Sequence, residues 1–208
     1  MPIDHFIYDF DGTLSDSYPI FFKILKEIIA RHHGTYTCTD EALYRELKCM
    51  VAYAYKLVDW EEGMTLEQYR AEFAELQAKY TKDFLLYPHA KELLEAVVKS
   101  GKKNYLYTHS GKNVYAIMDH MGISQYFTDV LDGSHGFPLK PAPDALNSLI
   151  ARHGLEPDRC VMIGDRPIDV GAGENAGMQS CLFDPDRFFE GSPATYHATE
   201  LCELLSLI

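Results

Sequence analysis

The sequence predicts an α/β fold: a parallel sheet flanked by helices, with an all-helical segment inserted after the first strand. Three observations predict it. From Tyr87 onward, short apolar runs alternate with amphipathic segments of helical period. Those runs lack the apolar–polar alternation of a half-exposed strand, which marks strands buried on both faces and therefore a parallel sheet. Upstream, residues 16–83 carry their apolar side chains at helical spacing only. The insertion is accordingly placed at 16–83, leaving 1–15 and 84–208 for the core, and both portions are of domain size.

The first strand is His5-Phe6-Ile7-Tyr8, running directly into Asp9-Phe10-Asp11-Gly12. In the insertion, Phe21, Ile24, Leu25, Ile28 and Ile29 form one helical stripe that ends near His32, His33 and Gly34. A second helix begins after Thr39-Asp40 and uses Leu43 and Leu47; a third carries Leu66, Tyr69, Phe73 and Leu76. In the core, Pro88 opens a helix whose Ala90, Leu93, Leu94, Val97 and Val98 face inward, and Gly101 closes it. The same proline-first, glycine-last asymmetry recurs from Pro143 to Gly154 and from Pro167 to Gly177. A further helix with Val114, Ile117, Met118 and Met121 ends at Gly122. The strands between them are Tyr105-Leu106-Tyr107, Val130-Leu131, Cys160-Val161-Met162-Ile163 and Ser180-Cys181-Leu182-Phe183.

Composition narrows the function. With 208 residues, 47% of them hydrophobic, the chain can bury a core without disulfide staples. A net charge of −12 argues against nucleic acid or an anionic membrane as partner. The N-terminus lacks the basic start and apolar run of a signal peptide, and no stretch reaches the length of a membrane span. Five scattered cysteines without a C-x-x-C pair read as reduced, buried thiols of a cytoplasmic protein. The nine histidines show no zinc-site spacing.

Functional groups of open parallel sheets gather beyond the carboxyl ends of the strands. Here those ends carry Asp9 and Asp11, then Thr108 and His109, then Asp132 and Ser134, then Asp165 and Asp169, with Lys140 in the loop after the third strand. Singly, each has a local reading: an Asx turn at Asp-x-Asp-Gly, a helix cap at Thr108 or Asp165, a solvated lysine at Lys140. Together they crowd carboxylates that need a cation to neutralise them. Oxygen donors with open positions suit a hard ion such as Mg²⁺, which also accepts phosphate oxygens. The edge therefore reads as a site for metal-assisted phosphoryl chemistry.

Asp9-Phe10-Asp11-Gly12-Thr13, Leu106-Tyr107-Thr108, Lys140-Pro141 and Gly164-Asp165-Arg166-Pro167-Ile168-Asp169 resemble, in order, the four motifs of the haloacid dehalogenase-like hydrolase superfamily. Asp9 to Ser17 and Lys140 to Asp144 are similar to its phosphoglycolate phosphatase-like branch. The resemblance implies a Rossmann-like core with a helical cap and a phosphatase acting on a small phosphorylated metabolite. It implies Asp9 as nucleophile and Asp11 as general acid and base, the latter starting protonated and so with a pKa above the ordinary value of roughly 3.9. Mg²⁺ would be held by Asp9, Asp165 and the backbone carbonyl of Asp11. Thr108 would bind phosphate oxygens, Lys140 would neutralise charge on nucleophile and phosphoryl group, and Asp169 would orient Lys140 or support the metal through water. His109 stands where many relatives carry Asn. It either contacts the phosphate or leaving group, or packs its loop.

The insertion departs from the family pattern. Residues 45–53, where relatives often carry a glycine-containing specificity loop, have no glycine. Arg45, Lys48, Tyr53 and Lys56 are candidates for substrate contact and equally for ordinary helix surface. A sugar phosphomutase would use the same Asp9 and Asp11 pair. A phosphate-binding or regulatory module that has lost turnover is a third possibility. Dehalogenases and phosphonatases fit poorly, because both lack the acid at the Asp11 position. The oligomer expected is a monomer or a small homo-oligomer.

Overall fold

The computed structural model describes residues 2–61 and 63–208. The chain forms two compact units, one running to Ser15 and resuming at Leu86–Ile208, the other Asp16–Leu85. The second junction falls two residues beyond the 83/84 boundary read from the sequence. Phe84 explains the difference: it is buried and meets the Phe21 ring edge-on at 6.0 Å, within the helical unit.

The first unit is a six-stranded sheet whose described pairings are all parallel, in the order β3-β2-β1-β4-β5-β6. The strands are β1 (His5–Tyr8), β2 (Lys103–Tyr107), β3 (Phe127–Leu131), β4 (Cys160–Gly164), β5 (Gln179–Phe183) and β6 (Tyr196–Ala198). Tyr8 pairs with Leu106 on one side and Ile163 on the other, which sets the ends of β1, β2 and β4 level. Strand order reverses direction between β1 and β4, the position where open α/β sheets form a crevice. Helices α5 (Ala90–Lys99), α6 (Asn113–Met121), α7 (Asp144–His153) and α8 (Pro167–Asn175) belong to this unit. On one sheet face Ile7, Tyr105, Tyr107 and Met162 pack with Leu146, Leu149 and Ala172 of α7 and α8.

The expectation of strands buried on both faces holds for β1, β2, β4 and β5 but not for β3. β3 is a sheet edge, and only Leu131 of its five residues is buried. β6, at the other edge, has three residues, too few to give a sequence signal.

The helical unit comprises α1 (Tyr18–Arg31), α2 (Asp40–Cys49), α3 (Val51–Lys56) and α4 (Leu66–Lys79). The α1 stripe of Phe21, Ile24, Leu25, Ile28 and Ile29 is buried. Thr39 caps α2, accepting from the Ala42 N–H, and Thr65 and Gln68 form a capping box at α4. Arg45 and Lys48 lie on α2, Tyr53 and Lys56 on α3. Lys48 is buried with Nζ 5.0 Å from the Tyr18 ring, whereas Tyr53 is exposed with Lys56 Nζ 5.5 Å from its ring.

All five cysteines are free, but only Cys160 and Cys181 are buried; Cys38, Cys49 and Cys202 are half-buried, which corrects the expectation of five buried thiols. Among the described residues, no helix is long and apolar enough to cross a membrane.

Candidate active site

The site begins where β1 ends. The Asp9 N–H donates to the Ile163 carbonyl at 2.8 Å, so the ladder to β4 extends through Asp9. The chain then turns: Gly12 adopts φ 84°, and its N–H donates to the Ser15 carbonyl at 2.8 Å. A side chain at position 12 would be strained in that conformation. The turn brings Thr13 back beneath the sheet end, where its hydroxyl donates to Asp165 Oδ1 at 3.4 Å.

Lys140 is the hub. Its ammonium is buried, lies 2.9 Å from Asp9 Oδ1, and donates to Asp169 Oδ1 at 2.8 Å and to the Tyr107 carbonyl at 2.9 Å. Two hydrogen bonds and two carboxylates therefore surround the buried cation. Burial works against its charge, but the Asp169 and Asp9 carboxylates outweigh that cost and hold its pKa above the ordinary lysine value. The Tyr107 ring, 4.5 Å from Nζ, adds a cation–π contact.

Asp169 is wholly occupied by orientation. Oδ1 accepts a hydrogen bond from the Lys140 ammonium, and Oδ2 accepts the Arg166 N–H at 3.1 Å, capping α8. Asp9, Asp165 and Asp169 each bring one carboxylate oxygen into a group whose members lie within 4.8 Å of one another. With Asp169 committed to Lys140 and the helix cap, Asp9 and Asp165 are the side chains best placed to hold an ion. Asp9 Oδ2 is buried and accepts no hydrogen bond among the described residues, and Arg166 Nη2 lies 3.6 Å from it. An oxygen-rich, buried donor set with such an atom fits a hard divalent cation.

Thr108 ends β2. Its N–H donates to the Leu131 carbonyl at 2.9 Å, and its Oγ1 accepts the Ser110 N–H at 3.0 Å, leaving its own O–H to donate. The helix cap that Thr108 taken singly would suggest is not formed: the hydroxyl closes this local turn, and α6 starts five residues later. Asp11 meets the same turn from the other side, because the Ser110 hydroxyl donates to Asp11 Oδ2 at 2.5 Å.

His109 packs its loop. Nε2 accepts the backbone N–H of Lys140 at 3.0 Å, and the ring meets Tyr107 edge-on at 5.9 Å. Burial, with the Lys140 and Arg166 cations nearby, pushes its pKa down to about 3, so the ring is neutral with its proton on Nδ1. Asp132 turns to local work, with Oδ1 accepting the Ser134 N–H at 2.6 Å.

The structure therefore brings Asp9, Lys140, Asp165 and Asp169 into one cluster, with Asp11, Thr108 and His109 on the adjoining loops. Sequence reasoning missed Thr13, Ser110, Gly164 and Arg166, although three of the four lie inside the quoted motifs.

A family profile described as haloacid dehalogenase-like hydrolase matches residues 6–183. A phosphoglycolate phosphatase of Vibrio vulnificus is 30% identical over 186 residues, covering 83% of this chain and 80% of the relative. A phosphoglycolate phosphatase of Rhodospirillum rubrum is 27% identical over 187 residues, covering 83% and 76%. Among solved structures, a hydrolase from Streptococcus pneumoniae TIGR4 has a TM-score of 0.65 at 29% identity, over 88% of this chain and 94% of that one. CbbY from Rhodobacter sphaeroides, crystallised in complex with phosphate, shares the fold with a TM-score of 0.82 at 19% identity, over 97% and 96%. The chain belongs to the haloacid dehalogenase-like hydrolase family, and within it is a phosphoric monoester hydrolase of the phosphoglycolate phosphatase-like branch.

Proposed function

We propose that the enzyme hydrolyses a small phosphorylated metabolite through an aspartyl-phosphate on Asp9, with Mg²⁺ as cofactor and Asp11 as general acid and then base. The observation that carries this reading is the Asp9 carboxylate itself. It is buried, pinned at Oδ1 by Lys140, and bears an Oδ2 without a hydrogen bond among the described residues.

Asp9 attacks phosphorus, forming the acyl phosphate as the bond to the leaving oxygen breaks. Asp11 gives its proton to that oxygen, then takes one from the water that attacks phosphorus and releases Asp9. Asp9, Asp165 and the Asp11 backbone carbonyl would hold Mg²⁺, which neutralises phosphate charge when bound. Lys140 fixes the nucleophile's orientation and offsets its charge, while Asp169 fixes Lys140. Thr108 directs its O–H toward a non-bridging phosphate oxygen. Alignment and charge neutralisation are what phosphoryl transfer chiefly requires.

The net charge of −12 supports a reaction without nucleic acid or membrane partners, and five free thiols support the cytoplasm as its compartment. The test is phosphate release from a panel of phosphomonoesters, with phosphoglycolate included because the curated relatives carry that name. Wild type and Asp9→Asn are compared in Mg²⁺ and in EDTA. Release that needs both Mg²⁺ and Asp9 supports the reading. Release that persists without either contradicts it, and phosphate moved within a sugar phosphate rather than released marks a mutase.

A further inference from the structure

We propose that Ser110 is a positioning residue that aims the Asp11 carboxyl for proton transfer to the leaving group; this rests on the acid–base role of Asp11 given above. The two residues are 99 positions apart, and the Ser110 hydroxyl donates to Asp11 Oδ2 at 2.5 Å. What gives this contact directional value is how firmly the serine backbone is held. Its N–H donates to Thr108 Oγ1 at 3.0 Å, and its carbonyl accepts the Gly133 N–H at 2.8 Å. Gly133 is pressed against the same turn, for a β-carbon there would stand 2.5 Å from the His109 carbonyl oxygen. The turn that places the phosphate-binding hydroxyl of Thr108 therefore also places Ser110. One rigid loop sets the geometry of two groups that act on opposite sides of the breaking bond.

The chemistry of the partner matters as much as its position. A general acid that becomes a base must be held both with and without its proton. A lysine or arginine would favour only the carboxylate, and a backbone carbonyl only the acid. A hydroxyl donates to Oδ2 of the carboxylate and equally to Oδ2 of an acid whose proton sits on Oδ1, so the contact survives both half-reactions and leaves that one proton for the leaving oxygen.

The consequence depends on the leaving group. An alkyl alkoxide needs the proton as the phosphorus–oxygen bond breaks, whereas nitrophenolate departs without it. The experiment measures kcat/KM in Mg²⁺ for glycerol phosphate and for nitrophenyl phosphate, using wild type, Ser110→Ala, Ser110→Thr, Ser110→Cys and Asp11→Asn. Thermal melts establish that each variant is folded. Ser110→Ala is expected to lose about tenfold to a hundredfold on the alkyl ester, part of the roughly 10²–10⁴-fold that a general acid contributes, and little on the aryl ester. Ser110→Thr, which keeps the hydroxyl, restores the alkyl reaction, and Ser110→Cys, a weak donor of similar size, does not. Equal losses on both esters, or none, overturn the assignment while Asp11→Asn keeps its selectivity. If Asp11→Asn itself loses both esters equally, the acid–base role fails and the role of Ser110 falls with it.

Discussion

Gly164 lies so close to Asp169 that a β-carbon placed on it would stand 2.1 Å from Asp169 Cβ and 2.3 Å from Cγ. The last residue of β4 is thus a seat for the side chain that orients Lys140. Gly164→Ala must displace the first turn of α8 or rotate Asp169 away from the ammonium. The expected result is a loss of about 1–3 kcal/mol in denaturant unfolding, the usual cost of overpacking, with turnover reduced at least about tenfold by misplacement. Unchanged stability and activity would mean that the contact between Gly164 and Asp169 carries neither.

Lys140 joins two buried carboxylates. Replacing it with methionine keeps its bulk and removes the charge, depriving Asp9 and Asp169 of the ammonium they share. Breaking a buried pair by removing one partner costs about 3–5 kcal/mol. That loss is expected in urea unfolding with EDTA present, alongside loss of turnover. Lys140→Arg is not expected to restore activity, because a planar fork does not match three acceptors converging on one nitrogen.

His109 predicts a specific pH dependence. Its folded pKa of about 3 lies below the 6.5 of a free imidazole, so the unfolded chain binds the proton first as pH falls. Stability linked to His109 is therefore complete above pH 6.5 and is lost progressively as pH falls from 6.5 toward 3. Between pH 7 and pH 5 the wild type should lose about 2 kcal/mol more than His109→Asn does, from roughly 1.36 kcal/mol per pKa unit. Parallel losses in the two proteins would place His109 in a solvated, protonatable setting.

Cation binding is measurable without turnover. A ligand that binds only the folded state stabilises it by about 2.7 kcal/mol at a hundredfold its dissociation constant. Mg²⁺ should raise the wild-type melting temperature. Asp165→Asn should abolish that shift, and a Mg²⁺ shift retained in this variant would remove Asp165 from the ion's ligands.

The sequence made some features legible and hid others for physical reasons. The helices of α1, α4, α5 and α7 carry long apolar stripes and cap signals, which local chemistry writes directly into the chain. α3 is only six residues long, too short for a stripe, and β3 reads like an interior strand until the sheet order makes it an edge. Carboxylates at strand ends were visible because a parallel sheet gathers strand ends wherever they fall in the chain. The residues that orient them were not. Thr13 reaches Asp165 across 152 positions and Ser110 reaches Asp11 across 99, so each role exists only after folding. Gly164 and Gly133 matter through the atoms a β-carbon would strike, which composition and spacing do not record. His109 offered two readings in sequence, and the structure gives it the Lys140 backbone as partner.

The central claim is that phosphate passes through the Asp9 carboxylate. The most direct measurement is to quench the enzyme during turnover, reduce it with borohydride, and locate the modified residue by peptide mass spectrometry. An acyl phosphate is reduced to the alcohol, so the claim predicts homoserine at position 9, dependent on Mg²⁺ and on substrate. Turnover without any modified carboxylate, or modification at Asp11 or Asp165 instead, would contradict it.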